Sequence, residues 1–102
     1  MTTRQNLTAI IYDRRGRVIS VGKNSYVKTH PLQAKFAAKA GRPDAIYLHA
    51  EVDALVRLKD WSHAHKIVIT RVGKSGDTLL AKPCESCQRA IEMAGIKVVE
   101  HT

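Results

Sequence analysis

Long apolar runs, aromatic residues and cysteines are all scarce in this 102-residue chain. The longest apolar runs, such as "AIIY" and "IVI", are far too short to form a membrane-spanning helix. The polar start "MTTRQN" lacks the apolar core of a signal peptide, so we expect a cytoplasmic protein that does not enter a membrane. In that compartment the two cysteines should stay reduced.

The length and composition indicate one soluble globular domain that spans residues 1–102. A chain of this size can bury a single core and leaves no room for a second domain. Apolar residues make up 44% and charged residues 25% of the sequence, which is typical of a folded rather than a disordered protein.

Acidic residues are missing from one long segment. The net charge is +8, and the sequence between Arg14 and Arg42 contains basic residues but no Asp or Glu. Such a segment attracts phosphate groups, whether they belong to a nucleotide, a nucleic acid or another anionic partner. It is equally compatible with a solvated basic surface that only aids solubility.

Hydrophobic periodicity and turn residues predict an α/β fold built on a single mixed sheet. Helices are predicted at 31–41, 49–59 and 84–95, and strands at 7–13, 18–22, 66–72 and 96–100, with a short strand in "TLLA". The first two strands should form an antiparallel hairpin across "DRRGR". The helix between the strands near 70 and 98 should make that pair parallel.

The segment "KPCESC" places two cysteines at a predicted helix start. Pro83 opens the helix, so Cys84 and Cys87 lie three apart on one face of its first turn. The positive end of the helix dipole favours thiolates, and two thiolates at this spacing can hold one Zn²⁺. The spacing alone leaves three options open, namely a metal site, a redox pair or inert buried cysteines.

A redox pair and a structural zinc site each need further residues. A thioredoxin-like redox site uses a proline later in the chain, and no proline follows Pro83. A structural zinc site needs two more ligands, for which the candidates are His30, His49, His63, His65 and His101.

The stretch "LHAEVDALVRL" supplies complementary residues at a second predicted helix start. With Cys84 and Cys87, His49 would complete three zinc ligands and leave the fourth position open for water, as in catalytic sites. Zinc lowers the pKa of bound water toward neutrality. Glu51, two residues beyond His49, could then accept a proton from that water and pass it to a substrate.

With "HAEVDAL" and "KPCESC" in this order, the chain resembles the cytidine deaminase-like superfamily, in particular the branch of deoxycytidylate and nucleic-acid deaminases. The resemblance implies a minimal three-layer α/β/α fold. It also implies a zinc-bound hydroxide that attacks C4 of cytosine, or C6 of adenine, with loss of ammonia. His49, Cys84 and Cys87 would hold the zinc and Glu51 would shuttle protons.

The same resemblance, through "VGKNS", suggests the substrate contacts. Asn24 would hydrogen-bond the sugar or base, and the backbone beside Ala50 would contact the base carbonyl. Because the basic segment surrounds Asn24, Lys23, Lys28 or Arg42 could hold a phosphate. The favoured substrate is therefore a cytosine nucleoside or nucleotide, with deoxycytidylate or (deoxy)cytidine first.

The chain departs from the family at both ends. From this sequence we expect neither the helix that usually precedes the first strand nor the helices that usually follow the last strand, and "TRVGKSGDTLLA" is longer than the usual connection. We therefore expect the elements that shape the substrate pocket to be absent or rebuilt. By analogy with the family we expect a homo-oligomer.

Two other functions remain open. One is a deaminase acting on cytosine or adenine in single-stranded DNA or RNA, and the other is a non-catalytic, zinc-stabilised module that binds nucleic acid. Proteins that bind single strands usually stack bases on aromatic side chains. This chain has only five aromatic residues, namely Tyr12, Tyr26, Phe36, Tyr47 and Trp61.

Overall fold

The computed structural model describes residues 6–24, 30–39, 49–72 and 78–102. These residues form a mixed α/β fold with three helices and a five-stranded sheet. The elements in chain order are β1 (Asn6–Tyr12), β2 (Val18–Lys23), α1 (Pro31–Lys39), α2 (Ala50–Leu58), β3 (Lys66–Val72), β4 (Thr78–Leu79), α3 (Glu85–Met93) and β5 (Val98–His101).

The sheet has the predicted mixed topology. Strand β1 lies between β2 and β3 and is antiparallel to both. On the other side of β3, its first part pairs with β5 in parallel, and its last two residues pair with β4 in antiparallel orientation. The α/β class, the opening hairpin and the parallel β3–β5 crossover are therefore confirmed.

The core lies on one face of the sheet. Ala9 and Ile11 of β1 pair with Ile69 and Ile67 of β3, and all four side chains are fully buried. Helices α2 and α3 contribute buried residues to the same core, and α1 contacts α3.

The opposite face of the sheet is more exposed than the core face in the described part of the chain. None of its described side chains is buried, and Val18 and Val21 of β2 are 55% and 44% exposed. A second helical layer is therefore not supplied by the residues that the structure describes. The homo-oligomer expected from the sequence stays a prediction.

Helix α2 lies unusually close to β2, and this contact positions its first turn. A Cβ atom at Gly22 would come within 2.8 Å of the Cα atom of Ala54. The Ser20 hydroxyl donates a hydrogen bond to the Ala54 carbonyl at 2.7 Å, and the Lys23 N–H donates one to Asp53 Oδ2 at 2.9 Å. The end of β2 is thereby held against the start of α2.

Candidate metal centre

Two helix N-termini bring the predicted metal ligands together. His49 is the N-cap of α2 and Cys84 is the N-cap of α3, so each helix begins one residue later than expected. Both residues have extended backbone conformations, and neither side chain caps its own helix. Their side chains are instead close to each other, between the two helix starts.

The three predicted ligands form one compact cluster. His49 Nδ1 lies 3.2 Å from Cys87 Sγ and 3.4 Å from Cys84 Sγ, and the three ligand atoms lie within 4.8 Å of one another. In a tetrahedral zinc site, usual Zn–N and Zn–S bond lengths separate such atoms by about 3.5 Å. The donor set and its spacing therefore fit a metal ion of the zinc type.

The cluster has three members and does not extend to a fourth among the described residues. His30, His63, His65 and His101 are all described, and none of them belongs to it. His30 Nδ1 instead accepts a hydrogen bond from the Leu32 N–H at 3.0 Å. The four-ligand arrangement of a structural zinc site is thus not formed by these histidines.

The pKa values of the two thiols are shifted in opposite directions. A hydrogen bond from Cys87, with further ones from His49 and Ser86, lowers the pKa of Cys84 to about 3. The same hydrogen bond between the thiols, together with burial, raises the pKa of Cys87. Cys84 is therefore a thiolate at neutral pH, and Cys87 acts as its hydrogen-bond donor unless a cation replaces that proton.

Glu51 lies beside the cluster without belonging to it. It occupies the second position of α2, and only 5% of its surface is exposed. Burial raises the pKa of its carboxyl group, while a hydrogen bond with Cys87 and the nearby His49 act in the opposite direction. The predicted proton shuttle is thus a buried carboxyl group next to the ligands, separate from the three of them.

Two supporting residues were not predicted. Gln33 of α1 is fully buried, and its Oε1 accepts a hydrogen bond from the His49 N–H at 3.2 Å. The Ser86 hydroxyl lies 3.1 Å from Cys84 Sγ. Ser86 stands within the "CESC" segment and could have been found there, but a glutamine in an Ala-rich helix gives no such signal.

The predicted substrate contacts are placed only in part. Ala50 is fully buried as the first residue of α2, and Lys23 is exposed at the end of β2. Asn24 Oδ1 accepts a hydrogen bond from the Leu7 N–H at 3.0 Å, which ties the end of β2 to β1. Lys28 and Arg42 lie outside the described residues.

Within the described part of the basic segment, the arginines near the start lie apart from the lysine that follows them on β2. Arg14, Arg15 and Arg17 surround the turn between β1 and β2, whereas Lys23 lies at the other end of β2. Six residues of extended chain separate Arg17 from Lys23, which corresponds to roughly 20 Å. Only the far end of the hairpin is adjacent to the first turn of α2.

Comparison with known proteins adds no relative. No known protein-family model matches the chain, and no curated protein matches it significantly. In the part of the chain described, no helix is long and apolar enough to cross a membrane.

Proposed function

We propose that the protein is a zinc-dependent hydrolytic deaminase of a cytosine nucleoside or nucleotide. The observation that carries this proposal is a three-ligand His/Cys/Cys cluster with a buried, non-ligating carboxyl group beside it. Three ligands leave one position of a tetrahedral metal for water or substrate, whereas a structural site uses four. The resemblance through "HAEVDAL" and "KPCESC" indicates the same chemistry.

His49, Cys84 and Cys87 would hold the zinc. When bound, zinc would lower the pKa of a water molecule, so that a nucleophile is available at neutral pH. The positive ends of α2 and α3 both point at this position and favour the two thiolates that the metal requires. Gln33 accepts a hydrogen bond from the His49 N–H, which anchors the backbone of the residue that carries the imidazole ring.

Glu51 would move the protons of the reaction. Burial raises the pKa of its carboxyl group, which suits a group that accepts a proton from water and donates it again. In the overall reaction, a C–O bond forms between water oxygen and C4 of the base, the C4–N bond breaks, and the amine leaves as ammonia. Glu51 would take the proton from water and deliver it to the substrate.

Substrate binding would use the end of β2. The bond between the Lys23 N–H and Asp53 holds this strand end against the first turn of α2, next to the metal ligands. Asn24 would contact the sugar or base, Ala50 the base carbonyl through its backbone, and Lys23 a phosphate. Deoxycytidylate or (deoxy)cytidine is the favoured substrate, and cytosine or adenine in a single strand is the alternative.

A non-catalytic zinc module is the competing function. Such a module has no use for a carboxyl group that is buried beside an open metal position, because burial of an ionisable group without function is costly. The buried Glu51 therefore favours an enzyme.

An ammonia-release screen of the zinc-loaded protein tests the proposal. The panel would contain cytosine, cytidine, deoxycytidine and the monophosphates of these two nucleosides. It would also contain guanine, adenosine and short oligonucleotides of each amine-bearing base. We expect turnover of at least one cytosine compound that is lost after chelation and restored by zinc. Absence of turnover on every compound, with one zinc bound per chain, would favour the binding module.

A further inference from the structure

A second cavity lies at the other end of the molecule, away from the metal centre. It has a volume of about 560 Å³, and its walls come from the β1–β2 turn, the loop that follows α2 and the turn that follows α3. The metal ligands lie at the N-termini of α2 and α3, whereas this cavity lies at their C-terminal ends. We call it the hairpin pocket.

The hairpin pocket is strongly basic. Among the described residues, its cationic lining residues are Arg14, Arg15, Arg17 and Lys97, and the acidic one is Asp13. Among the described residues, Arg14, Arg15 and Lys97 form no ion pair. Three cationic side chains thus surround the cavity with no anionic partner.

The Asp13 carboxylate is occupied by contacts within its own turn. Asp13 Oδ1 accepts hydrogen bonds from the N–H groups of Arg15 and Arg17, both at 2.9 Å. Its Oδ2 accepts one from Arg17 Nε at 2.8 Å. Asp13 therefore shapes the turn that presents the arginines, and its ion pair is with Arg17 rather than with Arg14 or Arg15.

An aromatic ring forms another part of the wall. Trp61 is the only tryptophan of the chain, and its indole N–H donates a hydrogen bond to the Leu55 carbonyl at 2.8 Å. It is half-buried against the core. Since the N–H is used internally, the position of the ring in the cavity wall is held by that hydrogen bond.

We propose that the hairpin pocket binds a nucleotide unit, with its phosphate on the hairpin arginines and its base against Trp61. Guanidinium groups match phosphate oxygens in geometry, and a fixed aromatic ring offers a stacking surface that accepts any base. An anionic membrane would need charges on a flat surface rather than around a concave cavity with an inset ring. The nucleotide can come from a free nucleoside monophosphate or from a single strand.

This proposal does not depend on the deaminase function, and the ligand for its test is chosen accordingly. Thymine has no exocyclic amine, so thymidine monophosphate and oligothymidylates cannot be deaminated. Binding of these probes therefore reports on the hairpin pocket whatever the metal centre does. Quenching of the fluorescence of Trp61 provides a readout that originates in the pocket itself.

The matched variants remove equal charge from different places. Arg14→Gln/Arg15→Gln removes two cations from the pocket, and Lys35→Gln/Lys59→Gln removes two exposed cations outside it. All four side chains are exposed, so both variants should fold. Binding of fluorescently labelled oligothymidylate would be measured between about 50 and 200 mM salt.

We expect oligothymidylate to quench Trp61 and the arginine variant to bind at least tenfold more weakly than the lysine variant. The slope of log K against log salt should fall by about 1.4 in the arginine variant, because each phosphate contact to a single strand contributes about 0.7. If longer oligomers bind more tightly than short ones, the nucleotide comes from a single strand. If thymidine monophosphate binds as tightly as the oligomers, the ligand is a free nucleotide. Equal weakening in both variants, binding without quenching, or binding to anionic vesicles only would overturn the proposal.

Discussion

Gln33 Oε1 accepts a hydrogen bond from the backbone N–H of His49 at 3.2 Å, and this bond joins α1 to the start of α2. Gln33 is fully buried, while His49 carries the imidazole of the metal centre. The N–H of an N-cap residue has no partner within its own helix, so its partner must come from elsewhere. Here that partner is a side chain 16 residues earlier in the sequence.

Replacement of Gln33 should weaken metal binding without removing a ligand. Gln33→Ala leaves the His49 N–H without this acceptor, which costs about 1–3 kcal/mol of folding free energy. Replacement of a residue that orients a metal ligand typically lowers the metal affinity by roughly 10- to 100-fold. Competition with a chromophoric chelator measures the zinc affinity. Gln88→Ala, on the exposed surface of α3, serves as the control and should leave the affinity unchanged.

Loss of any cluster member should remove the metal. We expect one zinc per chain in the purified protein and substoichiometric zinc in His49→Ala, Cys84→Ser and Cys87→Ser. Zinc at 100 times its Kd should raise the unfolding free energy of the wild type by about 2.7 kcal/mol. Cys84→Ser is the cleanest variant because Cys84 is exposed, whereas Cys87 is part of the core. The control His63→Ala should keep its full zinc content. Full zinc content in Cys84→Ser would contradict the assigned cluster.

Gly22 should not tolerate a side chain. A Cβ atom there meets backbone atoms of Ala50 and Ala54, which cannot rotate away. We expect Gly22→Ala to lower the unfolding free energy by about 1–3 kcal/mol or more, as overpacked cores do. Val21→Ala, at the exposed neighbouring position, should change it by less than about 0.5 kcal/mol. Chemical denaturation of the two variants makes the comparison, and equal stabilities would show that α2 does not pack tightly on β2.

The β1–β2 turn, which Asp13 holds by hydrogen bonds, should make the stability of the protein depend on pH. Hydrogen bonds from the Arg17 and Arg15 N–H groups and from the Arg17 side chain lower the pKa of Asp13 in the folded state. A lowered pKa means that the stabilisation is complete above the unfolded pKa of about 3.9 and is lost as pH falls through the folded pKa. Asp13→Asn should therefore lower the Tm at pH 7, and the decrease in Tm should be much smaller at pH 2.

The matched variant for this experiment is Arg17→Gln, which removes the ion pair but keeps both backbone N–H bonds to Asp13. Its Tm difference from wild type at pH 7 should be smaller than that of Asp13→Asn, because the backbone bond is the largest cause of the pKa shift. A Tm difference for Asp13→Asn that stays constant from pH 7 to pH 2 would rule out this role.

The His/Cys/Cys cluster was predictable from sequence because its members stand in short local motifs. His49 precedes α2 and Cys84 precedes α3, and short motifs fix which residues stand at the starts of these helices. Their approach to within 3.4 Å needed only that both helices lie on the same face of the sheet. The hairpin and the parallel crossover follow equally from turn residues and from strand–helix alternation.

The supporting contacts were not predictable because they depend on tertiary packing. Nothing in an Ala-rich helix indicates that Gln33 reaches the backbone of His49. Charge along the sequence does not by itself place basic residues in space, since a hairpin places Arg17 and Lys23 at opposite ends of the same strand.

The most direct measurement of the central claim is ammonia release by Glu51→Gln on the substrate identified in the screen, with zinc content and Tm measured in parallel. Glutamine keeps the size of the side chain but cannot shuttle a proton, and Glu51 is not among the three ligands. We predict one zinc per chain, an unfolding transition like that of the wild type and a loss of kcat of roughly 100-fold or more. The control Glu85→Gln, at an exposed carboxylate of α3, should retain activity. Wild-type activity in zinc-loaded Glu51→Gln would contradict the proposed mechanism.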